Sequence, residues 1–347
     1  MSKRLKAILD FISVQKIATT SDVHRYIVEK FQEKIARITI IRDIDFLIHS
    51  GFIKKQGQAR NVKYCPIITN PLLEYFNVDD YFRNDCDDRV IKNKNFRFDV
   101  FDHLAGLFTD GELDEICVIN EKFRNNLKKF SPTIVKKEFE RLIIEFSWKS
   151  SHIEGNTYSL LDTERLIKEN IKAGNHSREE SIMILNHKCA LDYIFQNASN
   201  YKRITLAKIE ELHEIVIDNL GIHAGLRSSA VGVVGTNYKP LDNIHQIRDA
   251  MHELIKTINR TTNPLEKAFT VVLMISYIQP FEDGNKRTSR ILANAILLAN
   301  DYCPLSYRSI DEVEYKKAII LFYEQNSVSY LKKLFIEQFK QAVDKYF

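Results

Sequence analysis

From Phe98 onward the apolar residues of this chain recur at helical spacing almost without a break, and that period limits the fold more than any other feature. Helical blocks are expected near residues 98–108, 111–129, 133–150, 160–172, 178–197, 205–219, 243–260, 264–278, 285–300, 311–325 and 327–346. Only Ala230–Lys239, AVGVVGTNYK, reads as strand and turn. With 347 residues there is room for two or three domains. The longest near-apolar stretch, Ala268 to Ile278, is interrupted by Thr270, Ser276 and Tyr277 and is far short of the ~20 residues a membrane helix needs. No membrane contact is expected. The opening MSKRLKAILD lacks the apolar run of a signal peptide. Five cysteines stand singly, with no C-x-x-C pair, which argues against a disulfide framework or a Cys-type zinc site. The expectation is a cytoplasmic, mainly α protein in three parts: residues 1–66, a connector over 67–97, and a helical domain over 98–347.

The first part differs in charge from the rest. Residues 1–66 hold 13 Lys+Arg against 6 Asp+Glu, so a chain of net charge +4 carries −3 over its remainder. A basic module on a mildly acidic body points to a nucleic-acid contact confined to one end, with a solvated basic face as the alternative. Leu5, Ile8, Leu9 and Ile12 recur at helical spacing, Thr19 and Thr20 offer N-caps before Val23, Tyr26 and Ile27, and Ile41, Ile44, Leu47 and Ile48 share a third face that stops at Gly51. Two short strand-like pieces, Phe52–Lys55 and Asn61–Cys65, follow. Three helices and a hairpin make the layout of a winged helix-turn-helix, and TIIRDIDFLIHSGFI resembles the recognition helix and wing entry of bacterial winged-helix regulators. The resemblance implies that Arg37, Thr39 and Arg42 meet base edges or phosphates in a major groove, while Lys54, Lys55 and Arg60 on the wing meet backbone. Asp43 and Asp45 dilute the charge of the reading helix. The competing use of such a module is protein docking or dimerisation.

The most informative residues run from Gln279 to Arg290, QPFEDGNKRTSR. A long apolar helix must stop before Pro280, which cannot continue it. A new amphipathic helix begins near Asn285 and carries Ile291, Leu292, Ala295 and Leu298 inward. The loop between them holds Gly284, which lets backbone N–H groups face outward at a helix N-terminus, an anion site by geometry and dipole. Arg287 and Arg290, three residues apart, share nearly one face and can clamp phosphate oxygens with planar forks. Asp283 beside them is a hard oxygen ligand suited to Mg²⁺. These residues point to a magnesium–nucleotide polyphosphate site.

The segment resembles the signature of the Fic (Fic/Doc, "Fido") family, H-P-F-x-[DE]-G-N-[GK]-R-x-x-R, with Pro280, Phe281, Asp283, Gly284, Asn285, Lys286, Arg287 and Arg290 all matching. Upstream, Ser150-Ser151-His152-Ile153-Glu154-Gly155 fits the family's inhibitory motif [ST]-x-x-x-E-[GN], within an expected helix of about residues 140–156. Gly225-Leu226-Arg227 leading into Ala230–Lys239 resembles its β-hairpin flap. The resemblance implies a Fic-type helical domain that moves AMP from ATP to a Ser, Thr or Tyr hydroxyl of another protein or of the chain itself. Asp283 would then hold Mg²⁺, the Gly284–Asn285 backbone would cradle the α/β-phosphates, Arg287 would bind the β-phosphate and Arg290 the γ-phosphate. Glu154 would pair with Arg290 in competition with that phosphate, and Val231, Gly232, Val233 and Val234 would hold a target peptide by strand addition. A homodimer is left open.

The first signature position is normally histidine, and here it is Gln279. The family's histidine takes the proton of the attacking hydroxyl, help worth roughly 10²–10⁴-fold. A carboxamide has no basicity near neutral pH. Three outcomes follow: a slow transferase using water or substrate phosphate as base, a nucleotide-binding pseudoenzyme whose output is DNA binding, or another chemistry with a replacement base such as His152 or His223. Lys286 stands where many family members have glycine and makes another nucleotide pose conceivable.

Overall fold

The computed structural model describes residues 2–50, 52–58, 61–67 and 70–347, and the chain divides into two units, 1–84 and 85–347. In the first, α1 (Lys3–Gln15), α2 (Thr20–Phe31) and α3 (Arg37–His49) are followed by an antiparallel pair, β1 (Ile53–Gln56) and β2 (Lys63–Pro66), and a single turn, α4 (Val78–Tyr81). Thr19 begins α2 with a reciprocal cap, its hydroxyl accepting from the Asp22 N–H while the Asp22 carboxylate accepts from the Thr19 N–H. The helical period then buries Ile8, Ile12, Val23, Ile27, Ile40, Ile44 and Leu47 against Ile53. The strands pair Ile53 with Pro66 and Gln56 with Lys63, and Ala18 adds one rung to Tyr64. The unit boundary at residue 84 falls inside the expected connector, because Leu72 is buried and Lys16 reaches Glu74 at 2.7 Å.

In this unit Arg37, Arg42, Lys54 and Lys55 are exposed and Thr39 is half-buried. Arg60 lies outside the described residues. Asp43, expected to dilute the charge of α3, is half-buried and held by Arg4 of α1 at 2.5 Å. Asp45, the other acidic residue of α3, stays exposed, as do Ile38 and Phe46.

The second unit is helical: α5 (Asp110–Lys129), α6 (Pro132–Ile153), α7 (Leu160–Glu169), α8 (Arg178–Gln196), α9 (Leu206–Ile217), α10 (Ile244–Arg260), α11 (Pro264–Ile278), α12 (Asn285–Ala299), α13 (Glu312–Gln325) and α14 (Ser329–Tyr346). The block expected over 98–108 is only a 3₁₀ segment, Phe98–His103, since the chain turns away at Gly106 with φ +67°. At the centre stands the pair α11 and α12, both buried along nearly their whole length. Helices α6, α8 and α9 pack on α12, and α10 and α13 on α11. Such burial explains why α11 is apolar nearly all round, whereas α12 is amphipathic and buries the polar Asn285, Arg287, Thr288, Ser289 and Arg290 along its first turns.

Residues 230–239, expected as a hairpin, form two arms around a turn at Val234–Gly235 with no ladder between them. One arm is anchored: Lys239 bridges to Asn95, and the Lys239 N–H donates to the Lys94 carbonyl at 2.8 Å. The other carries Val234 almost fully exposed. Residues 94–96 supply the backbone partners of the Lys239 arm, so that arm does not pair with the other.

Candidate active site

The bend between α11 and α12 is built by two left-handed residues. Gln279 ends α11 at φ +50°, and Gly284 begins α12 at φ +79°. A Cβ at Gly284 would sit 3.1 Å from Ile217 and 3.5 Å from the His213 ring, so only glycine lets the loop lie this close to α9. Phe281 pins the loop from beneath, fully buried and stacked on His213 at 3.7 Å. His213 in turn reaches the Asp283 carbonyl through Nε2 at 3.0 Å, and since a carbonyl only accepts, Nε2 carries the proton. Burial, reinforced by Arg287, brings the pKa of His213 down to about 4.

Arg290 and Arg287 lie on the first turns of α12, both buried. Arg290 Nε donates to Ser150 Oγ at 3.0 Å, and its Nη2 donates to the Ser150 carbonyl at 3.0 Å and to Glu154 Oε1 at 2.8 Å. Lys286 stands 3.6 Å from the other Glu154 oxygen. Glu154 caps α6 just past its last residue, Ile153, and Gly155 at φ +101° turns the chain beyond it. Burial alone would raise this carboxyl, but Arg290 and Lys286 outweigh it and bring the pKa down to about 2. Arg287 donates to Asp283 Oδ2 at 2.9 Å. Its Nη1 is buried with no partner, and burial lowers its pKa. The inner cavity lined by Glu154, Gly284, Asn285, Lys286 and Arg287 has a volume of only about 40 Å³, room for ~3 waters. A larger cavity of about 400 Å³ continues outward, between Glu154, Gln279 and Lys286 on one side and Val231–Val234, Tyr315 and Tyr323 on the other.

Gln279 is buried, and its carboxamide is committed to its neighbours. Nε2 donates to the Ser276 carbonyl at 2.6 Å and approaches the Tyr323 hydroxyl at 3.3 Å, while Oε1 accepts from Asn285 Nδ2 at 3.0 Å. Asn285 also clamps Phe281, accepting from its N–H at 2.9 Å and donating to its carbonyl at 2.8 Å. The expected set Ser150, Glu154, Gln279, Asp283, Gly284, Asn285, Lys286, Arg287 and Arg290 is thus gathered in one place, with Val231–Val234 across the larger cavity. The two suggested replacement bases do not line either cavity. His152 turns to the Asn156 carbonyl and stacks on Trp148, and His223 is exposed.

Three residues that sequence reasoning missed, together with Arg227, which it met only as the entry to residues 230–239, complete the site. Buried His187 of α8 contacts Ser150 and Ser151, and His213 supports the loop. Tyr323 of α13 faces Gln279. Arg227, fully buried, donates to the carbonyls of Gln279, Ser229 and Leu241 and fixes the bend from the side of residues 230–239. Each arrives from a different element, and no local pattern marks it.

Comparison with known proteins gives a consistent result. Residues 203–297 match the model of the Fic/DOC family. The chain is 27% identical over 185 residues, 52% of its length and 43% of the relative's, to a protein adenylyltransferase Fic of Nematostella vectensis. It is 31% identical over 161 residues, 46% of its length and 33% of the relative's, to one of Drosophila grimshawi. The chain therefore spans well under half of these curated relatives. Among solved structures it resembles residues 134–508 of Fic-1 from C. elegans, at 18% identity and a TM-score of 0.57, covering 68% of this chain and 70% of that one. It also resembles a Fic-domain signaling protein from Bacteroides thetaiotaomicron, at 21% identity and a TM-score of 0.55, covering 68% and 96%. Glu154 and the whole of α6 lie outside the matched family segment.

Proposed function

Proceeding from the Fic/DOC family domain that the chain carries, we propose that this protein binds ATP with Mg²⁺ and belongs by class to the protein adenylyltransferases, held shut by Glu154 and slowed by Gln279. The observation that carries the reading is the Glu154–Arg290 ion pair, which stands over an inner cavity of about 40 Å³. A guanidinium fork engaged by a carboxylate has no room for a phosphate, and the partnerless Nη1 of Arg287 marks a second donor in the same wall. Release of Glu154 would free Arg290 for a terminal phosphate, Arg287 for the one before it, and the N–H groups at the start of α12 for the oxygens between. Asp283 suits the metal: its carboxylate is 68% exposed and only its Oδ2 is engaged, by Arg287. Mg²⁺ binds through one or two carboxylates plus substrate phosphates and would supply neutralisation of developing phosphate charge. Val231–Val234, whose arm is unpaired, would receive a strand of the target protein or of the chain itself.

Gln279 sets the rate. Its amide donates to Ser276 and its oxygen is filled by Asn285, so it holds the bend and takes no proton from a target hydroxyl. The test is transfer of α-³²P label from ATP in the full chain. Glu154→Gly is expected to bind ATP and label weakly, and Gln279→His in that background is expected to raise the rate by about 10²–10⁴-fold. If Glu154→Gly binds no ATP by calorimetry, the nucleotide reading fails. If it binds but stays silent with histidine restored, the transferase assignment fails and a nucleotide-binding pseudoenzyme remains.

A second reading concerns the first unit, which we propose to be a DNA-binding winged helix acting through Arg37, Thr39, Arg42, Lys54, Lys55 and Arg60. The observation favouring it is that Arg37 and Arg42 of α3 are exposed while Asp43 is half-buried and paired with Arg4, which leaves Asp45 as the exposed acidic residue of that helix. Arg42→Ala is expected to weaken binding to duplex DNA and to reduce the slope of log affinity against log salt by about one. An unchanged slope would move the unit to protein docking.

A further inference from the structure

His187 lies in the interior of α8, 1% exposed and far from the chemistry in sequence, yet it belongs to a line of hydrogen bonds that ends on Arg290. Its Nδ1 is 2.8 Å from the Met183 carbonyl and 3.2 Å from Ser151 Oγ. A carbonyl accepts only, so Nδ1 carries the proton and Nε2 of the neutral ring is a bare acceptor. Nε2 is 2.8 Å from Ser150 Oγ, and the serine must therefore donate its single hydroxyl hydrogen to the ring. That leaves the oxygen lone pairs for Arg290 Nε, which donates to Ser150 Oγ at 3.0 Å. Every proton in the line runs one way, from the guanidinium through the serine to the imidazole.

We propose that His187 is a positioning residue for Arg290: through Ser150 it fixes the direction of the hydroxyl that holds the guanidinium fork. The fork is thereby presented along its Nη edge, the edge that now meets Glu154 and would meet a phosphate when Glu154 leaves. Without the acceptor at Nε2, the serine hydroxyl is free to rotate its hydrogen toward Arg290, where donor would face donor. Burial, reinforced by the positive charges of Arg287 and Arg290, holds the ring neutral, with a pKa of about 3, so the line keeps its direction near neutral pH. The inference rests on the ATP reading of the site only for its consequence in binding, not for the line itself.

Two measurements test it. In ¹⁵N-histidine-labelled full-length protein, the His187 ring, assigned by difference against His187→Gln, is expected to show a protonated Nδ1 and a bare, hydrogen-bonded Nε2. A protonated Nε2 would overturn the proposal. The second measurement is Mg·ATP affinity in the Glu154→Gly background, where no carboxylate competes. A glutamine oxygen can stand where Nε2 stands and an asparagine oxygen cannot reach it. His187→Gln is therefore expected to keep the affinity within about twofold, while His187→Asn and His187→Phe lose about tenfold, the scale of one hydrogen bond to a charged group. The Arg290 Nε–Hε resonance should shift in the Asn and Phe variants and stay in place with Gln. Equal affinities and an unmoved arginine resonance across all three would reduce His187 to packing. If Glu154→Gly binds no ATP at all, the ATP reading falls, while the tautomer and the Arg290 resonance still decide the fate of this line.

Discussion

The two ends of the cavity above α12 are held by different forces. At the Arg290 end a guanidinium with no exposed surface meets a carboxylate, a serine hydroxyl and a serine carbonyl, and the charges are what is balanced. At the Gln279 end a neutral carboxamide meets a carbonyl, a tyrosine hydroxyl and an asparagine amide, and no charge is involved. At the first end the carboxylate stands at the C-cap of α6, with its side chain 18% exposed. The second is closed on itself. Under the proposed reading, anion binding and proton transfer are separate properties of one pocket, the first resting on the arginines and the second lacking a base where Gln279 acts as a strut.

Breaking the charged end has the largest expected consequence. Removing one partner of a buried ion pair typically costs about 3–5 kcal/mol, because the other charge stays behind. Arg290→Ala is expected near the lower limit, about 3 kcal/mol, since Lys286 still faces the Glu154 carboxylate at 3.6 Å. Urea unfolding of the full chain, followed on the second unit, measures it. A loss below ~1 kcal/mol would mean that the pair is solvated like a surface bridge and that the two ends are alike after all.

How much of this was legible follows from how far apart in sequence the partners lie. The helices could be read to within a few residues because their period is uniform and their caps are local, as with Thr109 and Glu112 at the start of α5. The 98–108 block shortened because the chain turns at Gly106 with φ +67°, and Phe98 and Phe101 pack with Phe96, which rests on Tyr277, rather than along one helical face. The bend itself was legible, since Gln279 to Arg290 are consecutive and proline, glycine and paired arginines each carry a local meaning. Glu154 was visible only through a family motif, and the fork it occupies is 136 residues away. His187, His213 and Tyr323, and the role of Arg227 at the bend, were invisible for the same reason that Arg4 was not matched with Asp43. A helical period says which side of a helix is buried, not which other helix it will meet.

Acid separates the ends more finely, because only one of them titrates. His187 and His213, with pKa values of about 3 and about 4, lie below the ordinary histidine value of 6.5, so the unfolded chain takes up protons first as the pH falls. Stability is then full above about pH 6.5 and declines below it toward those folded values. At one pKa unit per about 1.4 kcal/mol, each histidine costs on the order of 2 kcal/mol by about pH 5. Glu154, lowered from 4.5 to about 2, adds a further loss only as the pH falls from about 4.5 toward 2, again because its unfolded form protonates first. His187→Gln should therefore flatten the decline between about pH 6.5 and 5 by half, and Glu154→Gln should leave that range untouched and act only below about 4.5. Gln279→Met is the control that keeps the comparison sharp. It is expected to cost about 1 kcal/mol at every pH, one exchanged hydrogen-bond set, with Asn285 still held by Phe281. Unfolding midpoints at stepped pH would then give a curve for Gln279→Met parallel to that of the unaltered chain, and a curve that instead converges in acid would show that the carboxamide feels the charges at the other end.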